Sequence, residues 1–467
     1  MARSTEWLAC LLLGASFAAQ AAGRFDFDST PGRLEKDVVP AHYRLHFDAD
    51  PARDTFDGRA EIEIDARRAV DAIVINAQGL GLRSAQLIDA TGAAQALAVE
   101  NDAARMSWRL TVARTVAGKI EPGRYRLVFE YQGAVQRAAQ SLYRVDYVAQ
   151  GAPVRMLATQ LAPIHARALF PSFDEPAFRA TFDIAATVPA RYAVVSNMPV
   201  AAETTTTDGR KHYRFERTPS MPTYLVALAV GEFDVLEGRF ENVPLRIFTA
   251  RGRREEARYA LEVTQRVLGY FRDYFGVPYA LPKLDQLAIP GVRNGAMEDW
   301  GAISYNENVL LYEPKRSRPG QQQLVFNIVA HEIAHQWFGN LVTNAWWDDI
   351  WLNEAFATWM AVKASDDLNP AWRVRVRDRL YREPALVRDA TDATRAIAEP
   401  PAHESSIFEV FDDITYDKGG TVLGMFEGHL GAEVFRDGLR RYLAAHRFSN
   451  ATAPISGSIL GRLPAAT

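Results

Sequence analysis

Apolar and polar residues alternate along the first half of the chain, from about Arg33 to Val235. Segments such as YRLHFDAD, GRAEIEIDA and YRLVFEYQG place every second residue on one face, which is the period of a half-buried strand. FDIAATVP and TYLVALAVGEF continue the pattern. Many short strands without long helical segments predict a β-rich N-terminal domain over residues 25–235, built as a sandwich or saddle.

After about Leu236 the apolar residues recur at helical spacing. REEARYALEVTQRVLGYFRDYFG has this spacing and stops at Gly276, a common helix terminator. KLDQLAIPG predicts one strand, QQQLVFNIVAHEIAHQWFG predicts a second helix, and a third is predicted from about Leu352 through Lys363. Residues 236–467 are therefore predicted to form a second, mainly α-helical domain.

Length and charge narrow the class of protein. A chain of 467 residues is too long for one ordinary domain, so a multidomain protein is expected. Hydrophobic residues make up 48% and charged residues 24% of the chain, as in soluble globular proteins. The formal net charge is -4 and no basic arm is present, so we expect no nucleic-acid partner.

The N-terminus matches a secretory signal peptide, assigned to residues 1–21. Arg3 precedes an apolar run that is too short to span a bilayer, and AQA at residues 19–21 provides a cleavage pattern. A retained membrane anchor is the alternative. We expect a secreted or periplasmic protein with no stable membrane span once the signal is removed. Cleavage would remove Cys10, the single cysteine, and would exclude thiol chemistry.

The segment VAHEIAHQWFGN, residues 329–340, has metal-binding spacing. Positions i and i+4 of a helix share a face, so His331 and His335 can reach one ion, while Glu332 can reach its bound water. A helix with two histidines by chance is the alternative. Catalytic zinc takes three protein ligands, and Glu354, separated from His335 by eighteen intervening residues, provides the third. The sequence predicts one Zn²⁺ per chain on His331, His335 and Glu354.

This ligand set predicts hydrolysis. Two histidines and one carboxylate suit zinc, which lowers the pKa of its bound water to roughly 7 and polarises a carbonyl group. Glu332 is then placed to take a proton from that water and to pass it to a departing amine. Asp348 and Asp349 lie between the ligands in sequence; surface capping is the favoured role for them, and orienting a histidine is the alternative.

With these residues in place, the chain resembles the zinc aminopeptidases typified by aminopeptidase N, within the gluzincins. The HExxH pattern followed by eighteen residues and a glutamate is the first match. Other stretches match in order over about residues 38–448: VVPAHYRLHF, the signature ATQLAPIHARALFPSFDEPAFRATF, GAMEDWG for the exopeptidase motif GxMEN, and ITYDKGGTVLGMF for the segment with the catalytic tyrosine.

The resemblance implies roles that spacing does not assign. Glu298 would bind the free α-amine of the substrate with help from Glu354, because a buried ammonium group needs anionic partners. Tyr416 would donate a hydrogen bond to the oxyanion of the tetrahedral intermediate. The remaining substrate-binding residues would be Gly295, Ala296 and Met297 along the peptide backbone, and Gln160 near the amine.

The resemblance also implies a fold and an activity. A thermolysin-like catalytic domain would follow the β-rich domain, and peptides with a free N-terminus would lose one residue at a time. Two alternatives stay open. One is an epoxide hydrolase of the leukotriene hydrolase type, which shares this zinc site. The other is an inactive, truncated remnant that acts as a binding protein.

The chain departs from the family pattern at three places. Asp299 stands where the motif usually has asparagine, and could raise a neighbouring pKa, strengthen amine binding or only hold a loop. Ala162 replaces a second polar amine contact, which predicts weaker amine binding or a different first-residue preference. Because the chain ends in APISGSILGRLPAAT, we expect the family's C-terminal helical domain to be absent and the catalytic domain to be incomplete at its end.

Overall fold

The computed structural model describes residues 25–112, 119–292, 295–392 and 394–453. The predicted signal peptide, residues 1–21, lies outside them, as does the chain from residue 454. The helices are α1 Arg258–Phe275, α2 Glu307–Leu310, α3 Gln321–His335, α4 Trp351–Leu368, α5 Val374–Asp389, α6 Gly419–Leu430 and α7 Ala432–His446. Among them, none has the length and apolar character that crossing a membrane requires.

In the described residues, twenty-one short strands carry the β structure. They are β1 Val38–Asp48, β2 Thr55–Ala66, β3 Ile73–Asn76, β4 Gly81–Ile88, β5 Ala94–Asp102, β6 Ser107–Val112, β7 Gly123–Ala134, β8 Ser141–Ala149, β9 Ala152–Gln160, β10 Thr181–Val188, β11 Ala193–Ser196, β12 Val200–Thr205, β13 Lys211–Phe215, β14 Leu228–Gly231, β15 Phe233–Phe240, β16 Val243–Ala250, β17 Leu284–Ile289, β18 Ala296–Met297, β19 Ala302–Asn306, β20 Val342–Asn344 and β21 Ser449–Ala451.

The first fourteen strands form the predicted β-rich domain. Ten of them make one sheet in the order β12-β13-β10-β1-β2-β7-β4-β5-β6-β3, and four make a second in the order β11-β14-β9-β8. On β2, buried positions alternate with more exposed ones, and Phe56, Ala60, Ile62 and Ile64 point into the core. This alternation is the pattern that predicted the strands.

One predicted strand is only partly correct. Within TYLVALAVGEF, residues Thr223–Leu225 form a 3-10 turn, and the next strand is limited to β14. The turn is held by the Thr223 hydroxyl, which donates to the buried Asp174 carboxylate at 2.6 Å. Tyr224 and Leu225 are buried in that turn, so their apolar character reflects core packing without strand pairing.

The last large sheet has the order β15-β16-β17-β19-β18 and supports the helices. Its central strand β17 is parallel to β16 and to β19 and is buried at every position, as a strand covered on both faces must be. Helix α1 ends at Gly276, as predicted, with φ of 65°. Phe271 of α1 contacts Trp337, just after α3, with ring centroids 6.0 Å apart.

Two helix ends differ from prediction. Helix α3 stops at His335 rather than continuing through Phe338, because the chain turns there and the Asn340 amide donates to the His335 carbonyl. Helix α4 continues five residues beyond Lys363, since Ala364 and Ser365 are still buried. The two helices pack on each other, and this contact carries the functional site.

Two arginines join the β-rich domain to the helical one: Arg167 is buried and Arg179 is partly buried. Arg179 donates to the main-chain carbonyls of Ser220, Asn340 and Ser449 at 2.6, 3.2 and 3.4 Å. Arg167 pairs with Asp174, from Nε to Oδ2 at 3.0 Å, and with Glu404 of the helical domain. Strand β21 pairs in parallel with β20, and the Phe448 amide donates to the Leu341 carbonyl, which places a late segment of the chain beside the turn that follows α3.

Candidate active site

Helices α3 and α4 bring the three predicted metal ligands together. The Nε2 atoms of His331 and His335 lie 2.9 Å apart. Glu354 Oε2 lies 3.4 Å from the first and 3.3 Å from the second. One ligand atom from each residue lies within 4.8 Å of the other two, so a single ion could bind all three. The histidines share a face because they are one helical turn apart.

The chemistry of this donor set fits zinc. At 2.9 Å the two Nε2 atoms can share one hydrogen or turn their lone pairs to one cation, and the Glu354 carboxylate lies within 3.4 Å of both. Two imidazole nitrogens and a carboxylate oxygen are a usual set for catalytic zinc. Glu332 Oε2 is buried beside the site and has no hydrogen-bond partner in the described part of the chain. The residues present therefore fit the expected ion and a water next to it.

Asn353, which precedes Glu354, orients the second histidine. His335 Nδ1 lies 2.6 Å from Asn353 Oδ1 and 3.1 Å from the Phe338 carbonyl oxygen. Both partners only accept, so Nδ1 carries the hydrogen and Nε2 keeps a lone pair for the metal. Sequence reasoning missed Asn353 and considered Asp348 and Asp349 for this role.

Asp349 has a different partner in the structure. Asp349 Oδ2 accepts from the Ala453 amide at 2.8 Å, on the side of β21. The suggested histidine contact is made by Asn353 instead, because the first turn of α4 places the residue before Glu354 against His335.

Charges at the metal site reinforce one another. Burial opposes the negative charge of Glu354, but the two histidines more than offset it and lower its pKa to about 2. Burial likewise opposes a charge on His335, but Glu298 and Glu354 raise its pKa to about 10. The carboxylates therefore favour positive charge at this position. A metal ion and protons would compete to supply that charge.

Glu332 has the surroundings of a proton-transfer group. Burial raises its pKa well above the usual range, and the carboxylates of Glu298 and Glu354 add to the effect, although His335 opposes it. A carboxyl group with a raised pKa exchanges a proton more readily near neutral pH. Glu332 is 6% exposed, so bulk water does little to offset the raised pKa.

A cleft of about 900 Å³ opens over the ligands and collects the other predicted residues. Its lining includes Gln160, Gly295, Ala296, Met297, Glu298, Glu354 and Tyr416. Glu298 is 7% exposed. Gln160 Nε2 lies 3.4 Å from Met297 Sδ, so the β-rich domain and the GAMEDWG segment form one continuous wall.

Tyr416 faces the metal ligands from a π-helical turn, Ile414–Lys418. Its ring stacks on His331, with centroids 6.1 Å apart and planes at 19°. Burial and the carboxylate of Glu354 raise its pKa well above the usual range, so the phenol stays protonated and can donate. Single π-helical turns are often found at functional sites.

Asp299 does not share this cleft with Glu298. It is 2% exposed and borders a separate cavity of about 10 Å³, the size of one water molecule, together with Thr159 and Ser304. Burial raises its pKa well above the usual range, and the charge of Glu298 adds to this. The Asp299 carboxyl group therefore borders a different cavity from Glu298, and its effect on amine binding stays a prediction.

Comparison with known proteins agrees with this geometry. The Peptidase M1 N-terminal domain matches residues 39–225, and the Peptidase family M1 domain matches residues 259–455. Aminopeptidase M1 of Arabidopsis thaliana is 37% identical over 422 residues, which cover 90% of this chain and 48% of the relative. Human endoplasmic reticulum aminopeptidase 1 is 34% identical over 425 residues, 90% of this chain and 45% of the relative.

Aminopeptidase N of Acetobacter pasteurianus is 39% identical over 357 residues, 76% of this chain and 98% of the relative. The chain spans about half the length of the plant and human relatives. Both family domains are matched in the expected order, over the β-rich sheets and over the helices that carry the ligand triad. The chain belongs to peptidase family M1.

Proposed function

We propose that the chain is a zinc-dependent aminopeptidase that removes single residues from the N-terminus of peptides. The supporting observation is that the Glu298 carboxyl group lines the same cleft as the ligand Glu354 and the phenol Tyr416. A carboxylate fixed beside a metal site can bind an ammonium group, which only a free chain end offers next to a peptide bond. The compared relatives are named aminopeptidases, which does not favour the epoxide hydrolase alternative.

His331, His335 and Glu354 would hold the ion. A bound zinc ion supplies a Lewis acid that polarises the scissile carbonyl and acidifies water. Glu332 would take the proton from the attacking water and then pass it to the departing amine. Tyr416 would donate its hydroxyl hydrogen to the developing oxyanion, and its high pKa keeps that hydrogen in place.

The substitution Glu332→Gln tests this proposal. The amide cannot accept the proton, so turnover of an aminoacyl anilide should fall at least about 100-fold. The three ligands are unchanged, so zinc content measured by mass spectrometry of metals should match the wild type. Glu262→Gln is the control, because that side chain is 61% exposed on α1. Near-normal turnover by Glu332→Gln, or a wild-type chain that binds zinc but cleaves no aminoacyl substrate, would refute the proposal.

Export is a separate part of the proposal and rests on residues 1–21 alone. An apolar segment after Arg3, followed by AQA, supports secretion or periplasmic location. Fractionation of cells that express the chain, with N-terminal sequencing of the product, should give a mature protein that begins after Ala21. Recovery of the protein in the cytosol with residues 1–21 intact would contradict it.

A further inference from the structure

Three side-chain amides from the metal-bearing segment hold Glu298. Gln336 Nε2 and Asn340 Nδ2 donate to its main-chain carbonyl at 3.2 and 2.8 Å. Asn353 Nδ2 donates to its side-chain Oε1 at 2.9 Å. All three amides are at most 1% exposed.

Asn353 differs from the other two because it contacts both halves of the site. Its oxygen accepts from His335 Nδ1 at 2.6 Å, and its nitrogen donates to Glu298 at 2.9 Å. A carboxylate only accepts hydrogen bonds, so the amide can satisfy both neighbours in one orientation only. A single rigid group therefore fixes a metal ligand and the amine-binding carboxylate relative to each other.

That relative position decides which bond is cut. In any peptide, the α-amine and the first carbonyl carbon are joined through a single Cα, so their separation is short and nearly constant. If the α-amine is bound by Glu298, the distance from Glu298 to the metal ligands determines which carbonyl group along the peptide reaches the metal. A displacement of about 1 Å in such a site can cost about 100-fold in rate.

We propose that Asn353 is a positioning residue that sets the register of cleavage by holding Glu298 at a fixed distance from His335. This inference rests on the proposed aminopeptidase function. It predicts that the two hydrogen bonds of Asn353 have separate consequences: the bond to His335 serves metal affinity, and the bond to Glu298 serves selection of free N-termini.

The substitution Asn353→Asp separates these consequences. An aspartate has the same shape and still accepts from His335, but it has no hydrogen to donate to Glu298 and places a second carboxylate against it. In the zinc-loaded chain, KM for a peptide with a free N-terminus should rise about tenfold to 100-fold, since a hydrogen bond to a charged group is lost. The preference for free over acetylated peptides should fall towards that of Glu298→Ala.

The substitution Asn353→Ala removes both bonds. Zinc affinity, measured by competition with a chelator, should then fall about tenfold to 100-fold as well, whereas Asn353→Asp should keep it. Asn344→Ala is the matched control. Asn344 is a neighbouring amide, 2% exposed, which donates to the Trp346 carbonyl and does not contact Glu298. Its loss should leave both zinc affinity and the preference for free N-termini unchanged.

Product analysis by mass spectrometry completes the test. A loosened Glu298 should let the variants release dipeptides beside single residues. If Asn353→Asp keeps the wild-type KM, selectivity and products while Glu298→Ala loses them, the inference is overturned. If Asn353→Asp does not fold, Asn353→Ala at saturating zinc must lose selectivity, and wild-type selectivity there also overturns it. Failure of Glu298→Ala to change selectivity would instead contradict the proposed function.

Discussion

Asp299 and Glu298 are adjacent in sequence, but their carboxyl groups lie in different environments. Glu298 opens to the cleft and accepts from Asn353, whereas Asp299 Oδ1 is buried with no hydrogen-bond partner in the described residues. Burial removes most of the water that would stabilise an ionised carboxylate in that place, and no protein donor among the described residues replaces it at Oδ1. Asp299 is therefore expected to be neutral when the protein is folded.

If Asp299 is neutral in the folded protein, the substitution Asp299→Asn should change how the unfolding free energy depends on pH. A carboxyl group with a raised folded pKa stabilises the fold fully below its unfolded pKa, about 3.9, and this contribution is lost as pH rises towards the folded value. Within that interval the wild type should lose about 1.4 kcal/mol of unfolding free energy per pH unit from this group. Asp299→Asn should lack this slope in urea unfolding measured at increasing pH above about 4.

Asp71→Asn is the control, because that side chain is 71% exposed. Its unfolding free energy should follow the wild type at every pH. Parallel curves for Asp299→Asn and the wild type would show that Asp299 is already ionised in the folded protein.

The sequence was sufficient to predict site residues that are close together in the chain. It was not sufficient for residues that only the folded packing brings into contact. His331 and His335 follow from one helical turn, and Glu354 from the need for a third ligand. Glu298 and Tyr416 needed the family resemblance, and their roles remain predictions. Asn353 was missed because its bond to Glu298 joins residues 55 apart, which only the fold brings together.

At the scale of elements, the turn after α3 determines how the metal ligands are supported. Gly339 has φ of 115°, and a Cβ atom built on it would overlap the side chain of Asn353. Glycine is thus required twice, for the backbone angle and for the space that Asn353 occupies. Sequence periodicity cannot locate this turn, since the apolar pattern of α3 continues through Trp337 and Phe338, which pack in the core after the helix has ended.

The substitution Gly339→Ala should therefore weaken metal binding. Displacement of Asn353 frees the ring of His335, and loss of such a partner typically costs about tenfold to 100-fold in metal affinity. Gly209→Ala is the control, because Gly209 also has a positive φ, 80°, but no atom would lie within 4 Å of its Cβ. Both variants should lose about 1 to 2 kcal/mol of unfolding free energy from backbone strain. Chelator competition should detect a change in Gly339→Ala alone, and equal zinc affinities would contradict the expectation.

For the whole molecule, Arg167 and Arg179 link the two domains by hydrogen bonds. The Arg167 side chain is 0% exposed and depends on Asp174 from its own domain and on Glu404 from the other. Glu404 begins the 3-10 segment Glu404–Val410, whose Phe408 lines the cleft and contacts His165, with ring centroids 5.2 Å apart. The wall of the cleft is thus built across the domain boundary.

The substitution Glu404→Ala should destabilise the entire chain. It leaves the Arg167 charge buried with one carboxylate fewer, and breaking a buried pair in this way costs about 3 kcal/mol or more. Urea unfolding should show the loss in fluorescence and in circular dichroism alike. Glu409→Ala, an exposed residue of the same segment, should change the unfolding free energy by less than about 0.5 kcal/mol. Equal stabilities of the two variants would mean that Arg167 does not need Glu404.

The pairing of β20 with β21 has a consequence for synthesis on the ribosome. Asn344 and Asn450, in neighbouring strands, are 106 residues apart in the chain. At about 5 to 20 residues per second, the second strand follows the first by about 5 to 20 s. During that interval His331, His335 and Glu354 are all translated, but the partner strand of β20 is not. A nascent chain that stops short of β21 therefore holds every predicted metal ligand but lacks this pairing.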